Sequence, residues 1–500
     1  MAVIYSIQPA LATILPIFFG ILILLTGEKN RNLRDLWSIL ASVSKFAVVI
    51  SLLPITLRGD IVEFAPKLFS LSPAVSLVFR VDALGQFFAG LTALLWIITT
   101  IYSIGYMRTL REHNQTRYFF AFAMCVASAI SIAYAGNLFT LFIFYEMLSI
   151  STYPLVIHHE TEEAMRAGRK YLLYVLFGSV MILGAMAYTY SIAGTLTLSQ
   201  NGIVKGAASN NMLRLLFMAY ILGFGVKSAI MPLHSWLPSA MVAPTPVSAL
   251  LHAVAVVKAG VFGVTRVVYN IYGAELMKTL SLDLLLGIAA SITIIMASIY
   301  ALRQDNLKLR LAYSTVSQLS YIVLGAALVS LSGTTGGILH IFNQAVMKIT
   351  LFFCAGAIYA HTGKKYISEM QGIGKKMPIT MAAFTIGAIG MTGFPPTAGF
   401  ITKWYLAVGS LESGHIIFLL VLLVSALLNA AYWLPIVYNA FFKEPLDGNT
   451  EFDEAPPMLV IPLVITAIFT LVFGAFASLP YTPLNLAHVA AVEFLGLKGG

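Results

Sequence analysis

Apolar runs follow one another along almost the whole chain, separated by short polar connections. A helix that crosses a bilayer needs about 20 apolar residues. On that measure the pattern predicts about fourteen spans, near 7–26, 36–57, 79–107, 118–136, 138–157, 169–194, 212–237, 246–269, 280–302, 309–331, 335–361, 378–410, 414–442 and 457–479. Only Gly136-Asn137 separates the fourth from the fifth, which predicts a tight helical hairpin. The expected fold class is therefore an all-α polytopic membrane protein, read as one large bundle without a soluble domain. The run from Ala10 to Thr26 has no basic stretch before it and reads as a retained first helix.

Two spans are interrupted. The seventh carries Gly223-Phe-Gly-Val-Lys227-Ser-Ala-Ile-Met-Pro232, and the twelfth carries Gly390-Met-Thr-Gly393-Phe-Pro395-Pro396-Thr-Ala-Gly399-Phe-Ile-Thr-Lys403. Proline removes a backbone donor and clashes with the preceding turn. Irregular backbone at membrane depth survives only where protein buries it or water reaches it. Each break has a lysine beside it, and the two breaks are five spans apart. An odd offset inverts direction, so two five-helix units related in this way are expected to be inverted repeats, as in many transporters.

Charge sets the orientation. The chain is 59% hydrophobic and 10% charged, where a soluble domain carries about 25% charged residues. Loops after odd-numbered spans hold Lys29, Arg31, Arg34, Arg108, Arg111, Arg117, Arg166, Arg169, Lys170, Arg303, Lys308, Arg310, Lys364, Lys365, Lys375, Lys376 and Lys443. Loops after even-numbered spans hold Arg58, Lys67, Arg80, Lys205, Arg214 and Lys278. The balance of 17 against 6 puts the odd loops in the cytoplasm and both termini outside. It also accounts for the net charge of +9 without nucleic acid. Cys125 and Cys354 lie far apart in apolar segments, and there is no C-x-x-C, so no iron–sulfur or zinc centre of that type is expected. Glu444 to Glu454 reads as a solvated acidic loop.

The candidate chemistry lies inside the spans. A lysine at the bilayer centre costs roughly 2.5–3.5 kcal/mol on insertion scales, and such residues usually mark ion or proton routes. Glu146 and Lys227 form the core pair. Burial disfavours both charges, and mutual approach favours both, so a small change in separation would load or release a proton; the other reading is a static ion pair between two helices. His340, Gln344 and Lys348 recur at i, i+4 and i+8 on one stripe, with Asn343 beside it. This stripe suits either a water chain or a polar seam that joins helices. His252 and Lys258 share the eighth span but lie roughly across it from each other. Haem on His252 and His340 is disfavoured by the small number of intramembrane histidines. Lys45 has no evident partner and reads as facing a neighbouring protein of the assembly or reaching the interface, and Arg266 as reaching the interface. Asp82 and Asp283 begin spans, where an acid suits a helix N-terminus. His158, His159 and the Glu160-to-Glu163 run read as a solvated loop, and Trp236-Leu-Pro238 to Pro246 as a kinked connection.

Several of these stretches together are similar to one superfamily. Gly225-Val-Lys227-Ser-Ala-Ile-Met-Pro232-Leu-His234-Ser-Trp236-Leu-Pro238, continuing through Pro244-Thr-Pro246 to His252, resembles the signature of antiporter-like subunits. These occur in respiratory complex I, in Mrp-type cation/proton antiporters and in membrane-bound energy-converting hydrogenases. Leu138 to Ser149 matches the glutamate-bearing fifth helix, Leu311 to Ser320 the tenth, and Gly393 to Lys403 the broken twelfth. The resemblance covers about residues 80–440. It implies fourteen helices: an N-terminal part over 1–117, a first inverted repeat over 118–269, a second within 270–442, and a last helix and tail over 443–500. It implies translocation roles for Glu146, Lys227, His252, Lys258, His340, Lys348 and Lys403, with Lys403 closing a second half-channel. Ser239-Ala240-Met241 departs from the family's Asp-Ala-His.

The expected function is proton translocation within a multisubunit complex I-like or hydrogenase-like redox complex. No redox or catalytic centre and no cofactor is expected on this chain. The alternatives are a component of a Mrp-type Na⁺/H⁺ antiporter and a non-conducting membrane scaffold. Expected partners are other membrane subunits, lipid and protons, with Na⁺ left open, in a prokaryotic inner membrane.

Overall fold

The computed structural model describes residues 3–66, 75–446, 448 and 451–497. Lys67 and part of the 444–454 stretch lie outside the described residues. Among the described residues twenty-one α-helices follow in chain order. The first seven are α1 (Gln8–Thr26), α2 (Arg31–Ser51), α3 (Leu53–Leu57), α4 (Ala83–Thr109), α5 (Gln115–Ala133), α6 (Leu138–Val156) and α7 (Glu162–Ala193). The middle of the chain forms α8 (Asn210–Lys227), α9 (Trp236–Ser239), α10 (Thr245–Ala249), α11 (Val256–Arg266), α12 (Ala274–Thr279), α13 (Leu282–Leu302), α14 (Leu307–Ala327) and α15 (Leu331–Thr362). The rest are α16 (Ile373–Lys376), α17 (Pro378–Thr392), α18 (Ala398–Glu412), α19 (Ile416–Phe442), α20 (Pro457–Ala475) and α21 (Pro483–Phe494).

Among the described residues, eleven helices are long and apolar enough to cross a membrane, so the chain is a multi-pass membrane protein. Three of the fourteen expected spans fall short of that measure. The seventh stops at Lys227 and the twelfth divides into α17 and α18, both at the breaks read from the sequence. The tenth is α14, which carries Lys308 and Arg310 in its first turn. Tyrosines, small residues and ionisable groups fill the interior, while leucine and isoleucine of α7, α13 and α19 face outward. In α15 and in the composite segment Thr245–Tyr272 the apolar window is wholly buried, so these two form the centre of the bundle.

Among the described residues the helical fold stands as expected, with a small sheet beside the helices. Val3–Tyr5 (β1), Ile61–Phe64 (β2) and Phe79–Val81 (β3) form a small sheet, with β1 parallel and β3 antiparallel to β2. The start of the expected third span is thus a strand, and the helix begins only after Asp82, whose carboxylate accepts the Gly85 N–H at 2.7 Å. The hairpin turn at Gly136-Asn137 packs onto this strand: Gly136 N–H donates to Val78 O, and a Cβ on Gly136 would stand 2.7 Å from Val78 Cγ1.

Two further expectations fail because segments distant in sequence cover the side chains. Lys45 is fully buried within the chain, its ammonium 4.3 Å from the Trp96 ring centre. Arg266 does not reach the interface; it is 1% exposed and binds Asp82 through two hydrogen bonds of 2.5 and 2.8 Å. Breaking a buried pair from one side leaves an uncompensated charge, a loss of about 3–5 kcal/mol. Arg266→Ala is therefore expected to lower the Tm of the purified chain well below that of an Arg214→Ala control at an exposed site, as read by thermal unfolding in detergent.

Candidate functional site

Lys227 is the last residue of α8, and residues 228–235 after it are irregular. The helix end is tied down by Trp236, whose indole N–H donates to Val226 O at 2.8 Å. Gly260 of α11 lies against the break, where a Cβ would meet Ser228 N at 2.3 Å. Lys227 is 1% exposed. Its ammonium donates to Tyr145 O at 2.7 Å and lies 3.4 Å from the centre of the Tyr145 ring. Glu146, the next residue on α6, accepts instead from Ser179 at 2.6 Å. Among the described residues no ion pair joins Glu146 to Lys227, although the carboxylate is near enough for its charge to act on the lysine. The static ion pair is therefore not the arrangement present. A neutral carbonyl holds the ammonium, and the carboxylate stands aside on a serine.

His252 lies in a π-helical turn, Leu250–Val254, which the sequence did not reveal. Such turns are frequent at functional positions. The ring is fully buried and 4.9 Å from Phe352 of α15, and neither nitrogen has a hydrogen-bond partner among the described residues. Lys258, also fully buried, donates to Gln344 Oε1 of the same helix. Both side chains thus face α15.

The polar stripe of α15 is bonded outward on several sides. His340 Nε2 meets Gln318 Oε1 at 3.0 Å and its Nδ1 meets Thr402 Oγ1 at 3.2 Å. Lys258, Lys403 and Lys348 are all near enough for their charges to act on this ring. Asn343 donates to Ala398 O at 2.9 Å. Lys348 donates to Ser314 Oγ at 2.8 Å. Tyr432 then donates to Asn429 Oδ1 at 2.5 Å, its hydroxyl oxygen lies 3.1 Å from Ser314 Oγ, and Gln318 donates to that same amide oxygen at 3.4 Å. His340 and Lys348 are thereby linked through Gln318, Asn429, Tyr432 and Ser314. These four were missed as site residues. Their signal is polar spacing of three or four residues inside apolar helices: Ser314 and Gln318 on α14, Asn429 and Tyr432 on α19.

Lys403 belongs to α18, beyond its break rather than before it. Its ammonium reaches back to Met391 O at 2.9 Å and Thr392 O at 2.6 Å, the last carbonyls of α17. These groups have no partner within their own helix. Gly393, at φ +96°, makes room: a Cβ there would stand 2.6 Å from Lys403 Cδ.

Outside this line, the expectation of a solvated loop at His158 and His159 is only partly met. His158 is fully buried. Burial, with His113, His159 and Arg117 beside it, pushes its imidazole down to about 3.

A family described as NADH:quinone oxidoreductase/Mrp antiporter, transmembrane region, matches residues 135–429. The chain is 32% identical to NADH-quinone oxidoreductase subunit N of Desulforudis audaxviator, over 79% of this chain and 81% of that protein. It is 30% identical to a Na(+)/H(+) antiporter protein of Alkalihalophilus pseudofirmus, over 96% of this chain but only 63% of that longer protein. Its fold is similar to a chain of the Mrp complex from Dietzia, with a TM-score of 0.87, 98% of each chain covered and 21% identity.

Proposed function

Because the chain belongs to the NADH:quinone oxidoreductase/Mrp antiporter transmembrane family, in which it is an antiporter-like membrane subunit, we propose that it carries protons across the membrane within a complex I-like or hydrogenase-like redox complex. The observation that carries this reading is the buried run of ionisable groups from α6 and α8 through α11 and α15 to α18. Its four lysines, Lys227, Lys258, Lys348 and Lys403, are held by carbonyls, an amide and a hydroxyl. Among the described residues none of them is in an ion pair. A structural lysine buried in apolar surroundings is normally matched to a carboxylate.

In this reading Glu146 and Lys227 load the proton, His252 links them to the centre, and Lys258, His340 and Lys348 relay it through the bonded polar side chains. Lys403 releases it. The two halves, 118–269 and 270–442, act as inverted repeats of a fourteen-helix bundle, with both termini outside a prokaryotic cell membrane and other membrane subunits alongside. A Mrp-type Na⁺/H⁺ antiporter is the second reading, favoured by the match to the Alkalihalophilus antiporter protein along nearly the whole chain.

The test is ion flux in proteoliposomes of the intact purified complex. Glu146→Gln keeps the size and the hydrogen bond from Ser179 but removes the charge. Proton flux is expected to fall about 10-fold or more, the scale of a displaced proton-transfer group, with the complex still assembled. Wild-type flux in the variant would sink the role of Glu146. Absence of any flux in the wild-type complex would favour a scaffold. Subunits with iron–sulfur motifs, against small antiporter subunits alone, separate the first two readings.

A further inference from the structure

The connection after α4 and the turn after α6 meet around one carboxylate. Glu112 Oε2 lies 4.0 Å from His113 Nδ1, 3.7 Å from His158 Nε2 and 3.6 Å from His159 Nδ1. One donor atom from each of Glu112, His113 and His158 lies within 4.8 Å of the other two. His158 is fully buried, and among the described residues neither of its ring nitrogens has a hydrogen-bond partner. Its ring is fixed from two sides, stacked on His113 at 4.9 Å and edge-on to Tyr118 at 5.6 Å. A buried polar group without a partner costs about 1–3 kcal/mol, and each such group calls for an explanation.

We propose that Glu112, His113 and His158 bind a divalent transition-metal ion of the zinc class, with His159 placed to complete the coordination. Two or three imidazoles and a carboxylate, without thiolate, make a donor set suited to Zn²⁺ and its neighbours. Around a tetrahedral ion with bonds of about 2.0–2.2 Å the donors stand roughly 3.3–3.6 Å apart. The separations from Glu112 Oε2, 3.6, 3.7 and 4.0 Å, exceed that by up to roughly 0.7 Å. The ring of His113 is exposed on one side and would turn onto the ion to close the remainder, trading its stacking on His158 for a bond to the metal. Arg117, whose side chain donates to His158 O at 3.3 Å, is engaged with Glu160 at 2.5 Å, which offsets its repulsion. Access is through the exposed side of His113, and His159 also lines a cavity of about 710 Å³ beside Lys308 and Lys365. A bound ion would clamp the α4–α5 connection to the α6–α7 turn, and so hold together two helix pairs that carry Glu146 and its neighbours.

The test uses the full-length chain, purified in detergent without a polyhistidine tag and equilibrated with buffered ZnCl2. The expected result is one Zn²⁺ per chain. His113→Ala changes an exposed side chain, so folding is retained. It is expected to weaken binding by more than the roughly 10–100-fold that loss of an outer-shell partner costs. Glu112→Gln should do the same, and His488→Ala, at an exposed site on α21, should leave binding unchanged. Failure of the wild-type chain to take up zinc would overturn the proposal, as would wild-type affinity in His113→Ala.

Discussion

Lys227→Ala is expected to reduce ion translocation on the order of 100-fold or more, the range associated with losing a proton-transfer group, while the complex still assembles. Tyr145 O accepts the ammonium hydrogen bond, and loss of the ammonium leaves that carbonyl within its own helix. Alanine is small enough for the close passage of α11 at Gly260 to persist, because the approach there is to backbone atoms of Lys227 and Ser228 as well as to Lys227 Cβ, which alanine retains. Folding therefore has little to lose, and transport loses the titratable amine at the first break. Flux in proteoliposomes, set against the amount of assembled complex, checks this. Normal flux in an assembled variant would make Lys227 structural and remove the first half-channel.

A permanent ion pair would make both Lys227→Ala and Glu146→Gln primarily folding defects, because each leaves an opposite charge buried and unpaired. With Glu146 on Ser179 and Lys227 on Tyr145 O, the two variants instead separate. Glu146→Gln perturbs the field around Lys227, whereas Lys227→Ala removes the proposed carrier.

The helical membrane fold, the two breaks and the buried ionisable side chains proposed to carry protons were legible in the sequence, because a charge inside an apolar run is costly enough to stand out by composition alone. The neutral members were not. Gln318, Asn429, Tyr432 and Ser314 carry no charge, and amides and hydroxyls inside membrane helices are common enough as helix–helix contacts that their spacing of three or four residues, although present, does not by itself tell a proton route from a helix contact. The environments of Lys45, Arg266 and His158 were misread for a different reason. Each sits where a local window suggests lipid or solvent, and the burial comes from a distant segment: Trp96 for Lys45, Asp82 for Arg266, and the 112–118 region for His158. The small sheet was hidden because β3 continues directly into the apolar run of α4. The π-helical turn at His252 depends on backbone packing that periodicity does not encode.

Lys403→Arg is expected to stop transport while keeping the positive charge. The lysine ammonium satisfies Met391 O and Thr392 O at the end of α17, and cations are favoured at helix C-termini. If that were its whole task, arginine would do it as well, since its guanidinium offers five donors and remains charged. A group that must give up a proton in each cycle has the opposite requirement, because arginine does not deprotonate in proteins. The difference between the readings is therefore large: near-normal flux for a cap, and a loss on the order of 100-fold for a proton-exchanging residue. The crowded contact of the lysine stem with Gly393 raises a steric explanation for any loss. Lys403→Gln separates it, being shorter and uncharged. A steric defect confined to arginine would leave Lys403→Gln active, whereas a proton-exchange role requires that both variants assemble and both fail. Flux close to wild type in Lys403→Arg would end the case for proton release at the second break and leave the lysine as the cap of α17.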